Sequence, residues 1–336
     1  MATLLLPGDP LAQAARRRGE TVCLRARLAG GCAMRAPTID LGPLADGEPW
    51  RHHIAQQIDW ACTEFGIFYV IGHEIDGGLS ERLFGLGRQF FNRSSRVKAR
   101  IHTSRSASGG NGYFGVGEER TADIPNIREG INFAAAPAPR ALDSADPWPL
   151  EDSNLFPQIP GFRDCVLEYL AAVTALGRRL AGAIAAALGA DPQVFTCGPC
   201  EDPTVRLQLL NYPPGSGSRA GERPRWGLPE HTDRVVLSLL KHESTEGLQV
   251  RRGAGWMDMP EVPHTFLCGV GEALERLTGG RYRAAAYRVA NRSRAPRIAA
   301  PLLIDWNLDS KLIRFPGGRR AGAAQSRAVR PDAGAA

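Results

Sequence analysis

The chain has 336 residues, of which 43% are hydrophobic and 23% charged, and its formal net charge is +6. These values are ordinary for a globular protein. No apolar run approaches the ~18 residues of a membrane-spanning helix, so the sequence predicts no membrane partner. Seven cysteines without a clear secretory signal favour a reducing compartment, and we predict a cytoplasmic protein.

The positive charge is concentrated at the two ends of the chain. Residues 1–33 carry five arginines against two carboxylates, and residues 318–336 carry four arginines against one. The two tails account for the whole excess, so the rest of the chain is formally neutral. A neutral middle provides no basic surface that follows a phosphate backbone, and the sequence therefore predicts no nucleic-acid partner.

Both tails lack the periodicity of helices and strands, and we predict that residues 1–33 and 318–336 are disordered. The Arg-rich, acid-poor composition of residues 1–33 leaves organellar targeting as one alternative and a translation start at Met34 as another. Between the tails we expect two regions, residues 34–160 and residues 161–317.

The first region mixes short strands with helices. Apolar, β-branched and aromatic runs predict strands at 38–41 and 66–71, and apolar spacing predicts helices at 53–63 and 79–91. A long apolar stripe predicts a helix at 162–188, at the start of the second region. Short strands separated by Gly/Pro turns follow at residues 205–212, 235–240, 248–250, 265–269 and 297–304. Helices first and strands second predict an α+β fold, with a helical region packed against an antiparallel β-sandwich or barrel.

One short segment of the second region carries a candidate metal pair. His231 and Asp233 are two residues apart, and residues at that spacing in a strand project to the same face. With a second imidazole from elsewhere, such a pair forms a face that holds ferrous iron and leaves positions open for other ligands. The pair alone is a weak signal, and a structural or surface pair is the alternative.

A second candidate motif is Cys197-Gly198-Pro199-Cys200, which has the C-x-x-C pattern of thioredoxin-like redox proteins. Here the motif follows a long helix and precedes a strand, whereas the redox motif opens a helix after a strand. We interpret it as a Gly/Pro turn with two incidental thiols, and a thiol redox protein is the remote alternative. No second Cys/His pair stands at the spacing of a zinc site.

Eight segments, taken in order and spacing, resemble the isopenicillin N synthase-like branch of the iron(II)/2-oxoglutarate-dependent dioxygenases. They lie at residues 37–41, 66–73, 111–113, 128–130, 210–214, 230–233, 247–250 and 274–283. The resemblance implies a double-stranded β-helix (jelly roll) core with flanking helices, with that core inside residues 161–317. It also implies an oxidoreductase that uses iron(II), 2-oxoglutarate and dioxygen to hydroxylate, desaturate or cyclise a small organic molecule.

The resemblance assigns roles to individual residues. His231 and Asp233 correspond to iron ligands, and Arg297 corresponds to the cation that binds the distal carboxylate of 2-oxoglutarate. A guanidinium holds a planar carboxylate by two hydrogen bonds, a geometry that lysine does not reproduce. Tyr212 corresponds to a hydroxyl donor to the co-substrate. A solvated surface arginine and a half-buried aromatic at a strand end are the respective alternatives.

Two positions depart from the family pattern. An ungapped register places Tyr287 where the family has its distal iron-binding histidine, and Ala299 where it usually has a serine. His264 lies nearby in sequence, but we do not expect it to replace the missing imidazole. A neutral phenol, with a reference pKa near ~10, is a poor ligand, so we expect weak iron binding and low turnover. The alternative is a non-catalytic relative that binds a small molecule or a partner.

Overall fold

The computed structural model describes residues 22–23, 36–42, 48–106, 110–135, 154–195, 203–215, 225–243, 247–290 and 294–306. The tail at residues 318–336, nearly all of residues 1–33, and the Cys197–Cys200 motif lie outside the described residues, so those predictions stay untested.

The described helices are α1 (Glu48–Glu64), α2 (Gly77–Phe91), α3 (Ser95–Lys98), α4 (Phe162–Ala187) and α5 (Glu272–Leu277), with short 3₁₀ turns at Ala99–Ile101, Thr103–Arg105 and Pro192–Phe195. The strands of the first half are β1 (Val22–Cys23), β2 (Pro37–Asp40), β3 (Ile67–Ile71), β4 (Gly112–Phe114), β5 (Arg120–Thr121), β6 (Ile124–Pro125) and β7 (Glu129–Ala134). The strands of the second half are β8 (Thr204–Tyr212), β9 (Leu228–His231), β10 (Leu237–His242), β11 (Leu248–Arg252), β12 (Gly255–Asp258), β13 (Phe266–Val270), β14 (Tyr287–Val289) and β15 (Arg297–Asp305).

Two sheets face each other across the centre of the described fold. The large sheet has nine strands in the order β1-β2-β3-β13-β10-β15-β8-β7-β4, and the small sheet has four in the order β12-β11-β14-β9. Neighbouring strands are antiparallel except for the parallel pair β2 and β3. The strands β5 and β6 form a separate hairpin.

Strand β15 shows how the large sheet separates two environments. Its even-numbered residues pack into the core that the helices cover, and its odd-numbered residues line the space between the sheets, because side chains alternate along a strand. The first set comprises Ile298, Ala300, Leu302 and Ile304, and the second comprises Arg297, Ala299, Pro301 and Leu303. Period-two alternation therefore points Arg297 into the interior of the jelly roll.

Helix α4 supports the large sheet from its outer face. Its buried stripe includes Val173, Leu176 and Leu180. At Gly177 the helix approaches the sheet so closely that a Cβ would lie 2.1 Å from Ile304 Cδ1. By length and composition α4 is also the single described helix that is apolar enough to cross a membrane, a test that a core helix passes equally well.

The sequence predicted most long elements within a few residues of their observed ends, but it divided the chain too simply. Strands β2 and β3, from the predicted helical region, join the large sheet beside β13. The large sheet therefore draws strands from both predicted regions, and the boundary between residues 160 and 161 stays a prediction. Strands β4, β9 and β14 have only three or four residues, too few for a periodic signal.

The segment that follows β9 is fixed against the start of α5. The backbone N–H of Glu272 donates to the Asp233 carbonyl at 2.7 Å, and that of Gly271 donates to the Val236 carbonyl at 3.1 Å. These carbonyls satisfy backbone donors at the helix start that have no partner within the helix. Gly271 permits the close contact, because a Cβ there would lie 1.9 Å from the Val235 carbonyl oxygen.

We expect Gly271→Ala to destabilise the protein by about 1–3 kcal/mol, the usual cost of overpacking, because the backbone at Val235 cannot move without breaking its bonds to α5. Gly85→Ala is the matched control, since a Cβ at Gly85 meets no atom within 4 Å. In the middle of α2, alanine should stabilise by about 0.5–1 kcal/mol. Urea unfolding measures both changes, and a Gly271→Ala protein as stable as the parent would contradict the expectation.

Candidate functional site

A cavity of about 600 Å³ lies between the two sheets. Its wall is built from both sheets and from the β5–β6 hairpin. It brings together the residues that the sequence singled out, namely Tyr212, His231, Asp233, Tyr287, Arg297 and Ala299. The chemical roles of these residues remain predictions, but their side chains line the same cavity.

His231 and Asp233 converge, although by a different route from the one predicted. Strand β9 ends at His231, so Asp233 lies in the following segment and not two residues along the same strand. The chain leaves the sheet at Thr232, whose hydroxyl donates to the Glu272 carboxylate. His231 Nε2 still lies 3.9 Å from Asp233 Oδ1, because the link to α5 turns the segment back toward the cavity.

The His231 ring is held in one orientation by its own backbone neighbourhood. Its Nδ1 donates to the Pro229 carbonyl at 2.9 Å, so Nε2 carries the lone pair that faces Asp233. Burial lowers the pKa of His231, although the Pro229 hydrogen bond and the Asp233 charge oppose that shift. A neutral imidazole with an exposed Nε2 lone pair is the form that ligates metals.

Tyr287 stands directly across from His231, as their Cα positions are paired between β14 and β9. The two rings lie 4.2 Å apart between centroids, and the Tyr287 hydroxyl donates to Asp233 Oδ1 at 2.8 Å. Burial, followed by the charge and the hydrogen bond of Asp233, raises the pKa of Tyr287 well above its ordinary value. Tyr287 is therefore a neutral phenol whose proton bonds the carboxylate.

The donor set does not match the two-histidine face that ferrous iron takes. Within the described ranges no three His, Cys, Asp or Glu side chains are grouped to hold a metal ion. His264 lies exposed in a turn with a φ of 57° and does not line the cavity. Tyr287, which donates to Asp233, lies where the resemblance implies a second imidazole.

The surroundings of Arg297, unlike those of Asp233, suit the binding of an anionic ligand. It pairs with Tyr212 across β15 and β8, is 2% exposed, and its guanidinium carbon lies 5.2 Å from the Tyr212 ring centre. None of its three guanidinium nitrogens makes a well-formed hydrogen bond within the described residues. Burial lowers the pKa of Arg297, and the nearby Tyr212 and Glu243 oppose the shift. A buried guanidinium whose nitrogens make no well-formed hydrogen bond among the described residues fits a carboxylate that enters the cavity.

A second buried arginine of the cavity was not predicted. Arg128 is 8% exposed, its Nη2 and Nε donate to Glu119 at 2.7 and 3.1 Å, and its Nη1 donates to the Tyr212 hydroxyl at 3.3 Å. Burial disfavours its charge, but Tyr212 and Glu119 together hold the pKa of Arg128 above its ordinary value. The sequence gives only a weak signal for a buried cation here: Arg128 and Glu129 carry opposite charges at the start of an apolar segment.

The strand that carries Tyr212 is anchored from its other face. Asn211 donates to the buried Glu129 carboxylate at 2.9 Å, and Lys98 and Tyr113 each donate to the same carboxylate at 2.7 Å. A buried carboxylate with three donors is fully satisfied and geometrically specific. This network aligns β8 with β7 and thereby fixes the position of Tyr212.

Comparisons with known proteins agree with this architecture. Residues 36–159 match the model of the N-terminal region of non-haem dioxygenases in morphine synthesis, and residues 200–305 match the 2OG-Fe(II) oxygenase superfamily. A probable iron/ascorbate oxidoreductase of Dictyostelium discoideum is 34% identical over 84% of each chain. A homoarginine-6-hydroxylase of Glycine max is 32% identical over 82% of this chain and 86% of its own. A 1-aminocyclopropane-1-carboxylate oxidase of Dictyostelium mucoroides is 26% identical, over 83% of this chain and 84% of its own.

Solved structures share the fold at lower identity. A full-length Neurospora crassa protein, solved in complex with α-ketoglutarate, superposes with a TM-score of 0.70 at 21% identity, covering 84% of this chain and 88% of that one. JOX2, solved with 2-oxoglutarate and iron, has a TM-score of 0.63 at 24% identity, covering 82% and 75%. The predicted superfamily, the jelly-roll fold class and the oxidoreductase class acting on small molecules are confirmed. The chain belongs to the iron(II)/2-oxoglutarate-dependent oxygenase superfamily, whose cofactors are iron(II) and 2-oxoglutarate.

Proposed function

We propose that this chain binds 2-oxoglutarate in the cavity, with Arg297 holding the distal carboxylate and Tyr212 orienting the co-substrate. The observation that carries the proposal is the buried guanidinium of Arg297, which has no well-formed hydrogen bond of its own among the described residues. A bidentate carboxylate would satisfy it at a desolvated site, where a charge-assisted pair is strong. Ala299, next to Arg297 on the same face, contributes no hydroxyl to this contact.

Iron(II), when bound with 2-oxoglutarate in this family, supplies the oxidising chemistry that converts a small organic substrate with dioxygen. In this chain the co-substrate side of the site fits and the metal side does not, because Tyr287 gives no imidazole and bonds Asp233 instead. We therefore propose an oxidoreductase of this family whose turnover is low.

A second candidate is a non-catalytic relative that binds a small molecule. The Tyr287–Asp233 hydrogen bond favours it, since that contact satisfies the carboxylate without a metal. The two candidates share the Arg297 site and differ only in whether any succinate is formed.

The charge of the cavity points to an anionic substrate. Five arginines line it against two carboxylates: Arg120, Arg128, Arg206, Arg234 and Arg297, with Glu119 and Asp233. Arg297 is assigned to the co-substrate, and Arg128 is the other buried cation. The relatives named for homoarginine and 1-aminocyclopropane-1-carboxylate act on amino acids. We propose a small carboxylate, with Arg128 as the group that binds it.

We propose further that the partners of this chain are small molecules, without nucleic acid or membrane, and that it works in the cytoplasm. The formally neutral middle of the chain supports the first part. The described cysteines Cys62, Cys165 and Cys268 are free and buried, as in a reducing compartment. Organellar targeting by residues 1–33 is the alternative to a cytoplasmic location.

Arg297→Met should weaken 2-oxoglutarate binding by about 2–5 kcal/mol, the usual cost of losing a buried charged contact. It should also raise the stability of the ligand-free protein by about 1–4 kcal/mol, because replacing buried charge with an apolar group removes a desolvation cost. Calorimetry measures the first change and urea unfolding the second. Arg297→Lys is the control that keeps the positive charge but loses the two parallel hydrogen bonds of a guanidinium, and it should bind 2-oxoglutarate more weakly than the parent. Unchanged affinity in Arg297→Met refutes the assignment.

Tyr287→His should increase iron(II) affinity at least tenfold, in line with ligand effects at metal sites, and should raise 2-oxoglutarate-dependent succinate formation. Anaerobic iron(II) titration and NMR detection of succinate measure these outcomes. Tyr287→Phe is the matched control, since it removes the hydroxyl without adding a ligand and should gain neither property. Rapid succinate formation by the unaltered chain would contradict the proposal that its turnover is low.

Arg128→Gln should weaken the binding of a carboxylate substrate by about 1.5–3 kcal/mol, the value of a hydrogen bond to a charged group. The probes are small amino acids and the corresponding amines, compared by melting-temperature shift in saturating 2-oxoglutarate. Only the carboxylates should stabilise the parent, and Arg128→Gln should lose that shift. Arg120→Gln, at an exposed arginine of the same cavity, is the control and should retain it. Equal shifts from the amines would contradict the substrate class.

A further inference from the structure

The wall of the cavity holds a buried amide, that of Asn126, to which the proposed function gives no role. Asn126 lines the cavity close to Arg128 in the chain, and it is 2% exposed. Its side-chain oxygen has no hydrogen-bond partner among the described residues. A buried acceptor that has lost water and gained no donor is unfavourable in the folded protein, and a ligand in the cavity can supply the missing donor.

The backbone around Asn126 is held without its side chain. The N–H of Asn126 donates to the Glu119 carbonyl at 2.8 Å, and the carbonyl of Asn126 accepts from the N–H of Gly117 at 2.9 Å. The next residue, Ile127, donates its N–H to the Trp226 carbonyl at 2.9 Å. These backbone bonds satisfy the segment by themselves, so the amide is not needed to terminate a turn or a strand.

A second asparagine shows how a buried amide of this fold is satisfied away from the cavity. Asn132 is 7% exposed, donates to the Gly110 carbonyl at 3.2 Å and accepts from Gln208 Nε2 at 2.9 Å. Asn132 does not line the cavity, whereas Asn126 does. The unused hydrogen-bonding capacity of Asn126 therefore lies at the place where a ligand can enter.

Asn126 and Arg128 belong to the same part of the cavity wall. Both line the cavity, whereas Ile127 between them does not. Glu119 contacts both residues, because its carbonyl accepts the Asn126 N–H and its carboxylate accepts from Arg128 Nη2 at 2.7 Å. The terminal torsion of an asparagine is broad, so its amide can turn its oxygen toward a ligand. A cation and a neutral acceptor thus lie near each other on one wall.

We propose that Asn126 binds the substrate by accepting a hydrogen bond from it, and that the substrate is a small carboxylate that bears an amino or a hydroxyl group. The carboxylate binds Arg128, and the amino or hydroxyl group donates to the Asn126 side-chain oxygen. The inference rests on the proposed function for the assignment of the carboxylate to Arg128. It does not depend on a metal or on the role of Arg297.

The test compares ligand affinities of the full chain, taken from the dependence of its melting temperature on ligand concentration. The probes are butanoate and hexanoate with the α-amino, ω-amino, α-hydroxy and ω-hydroxy derivatives of each acid, in the presence and the absence of 2-oxoglutarate. At least one derivative should bind about two- to tenfold more tightly than the unsubstituted acid, the scale of one hydrogen bond. Equal affinity of each acid and all its derivatives overturns the proposal.

Asn126→Leu assigns the preference to the amide. The variant has a side chain of similar size without polar atoms, so the preference for the amino or hydroxy derivative should disappear. The affinity for butanoate and hexanoate should stay unchanged, because Arg128 is still present. A preference that Asn126→Leu retains in full shows that another group binds the amino or hydroxyl group, and it overturns the role of Asn126.

The stability of the ligand-free protein separates a binding role from a structural one. Asn126→Leu removes a buried polar group without a partner, so its melting temperature should equal or exceed that of the parent. Asn132→Leu is the matched control, because it breaks the hydrogen bonds to Gly110 and Gln208 and should melt at a lower temperature. A melting temperature of Asn126→Leu that falls as far as that of Asn132→Leu identifies a structural amide and overturns the proposal.

The same probes distinguish this inference from the proposed function. If Arg128→Gln weakens every acid but Asn126→Leu leaves the preference intact, the carboxylate class stands and the role of Asn126 falls. If butylamine binds the unaltered chain as tightly as the amino acids, and Asn126→Leu weakens it, the role of Asn126 stands and the carboxylate class falls. If no probe shifts the melting temperature of the unaltered chain, both fall.

Discussion

The antiparallel pairing of β9 with β14 is the constraint on which the site depends. It places position 287 opposite His231, and directly opposed side chains of neighbouring strands lie about 4.5–5.5 Å apart at Cβ. Whatever residue stands at 287 therefore enters the space beside His231 and Asp233. The strand register places the side chain of residue 287 beside His231 and Asp233. The identity of that one side chain decides the chemistry that the three residues provide.

A second constraint is the burial of Arg297 in the wall of the jelly roll. Burial of a guanidinium that makes no well-formed hydrogen bond among the described residues disfavours the folded state, so other parts of the molecule must supply the stability. The core between the large sheet and the helices does so, with residues such as Val173 and Leu180 of α4 fully enclosed against the sheet. The two faces of one sheet thus have opposite roles, one stabilising and one prepared for a ligand.

The long helices and strands could be predicted from the sequence because their patterns of apolar residues extend over many positions. Helix α4 has several turns of apolar stripe, and strand β15 alternates over nine residues, so both patterns exceed chance. The contact of Arg128 with Glu119 joins residues that precede two different strands, and the local sequence gives only a weak signal of it. The position of Asp233 beyond the end of β9 depends on backbone bonds to α5, and periodicity does not encode such bonds.

The Tyr287 position also has a genetic consequence. Tyrosine and histidine codons differ only in their first base, and a single T-to-C transition converts one into the other. The β9–β14 register is set by backbone hydrogen bonds, which such a change leaves in place. Under the proposed assignment of His231 and Asp233, a single nucleotide therefore separates this chain from a set of two histidines and one carboxylate.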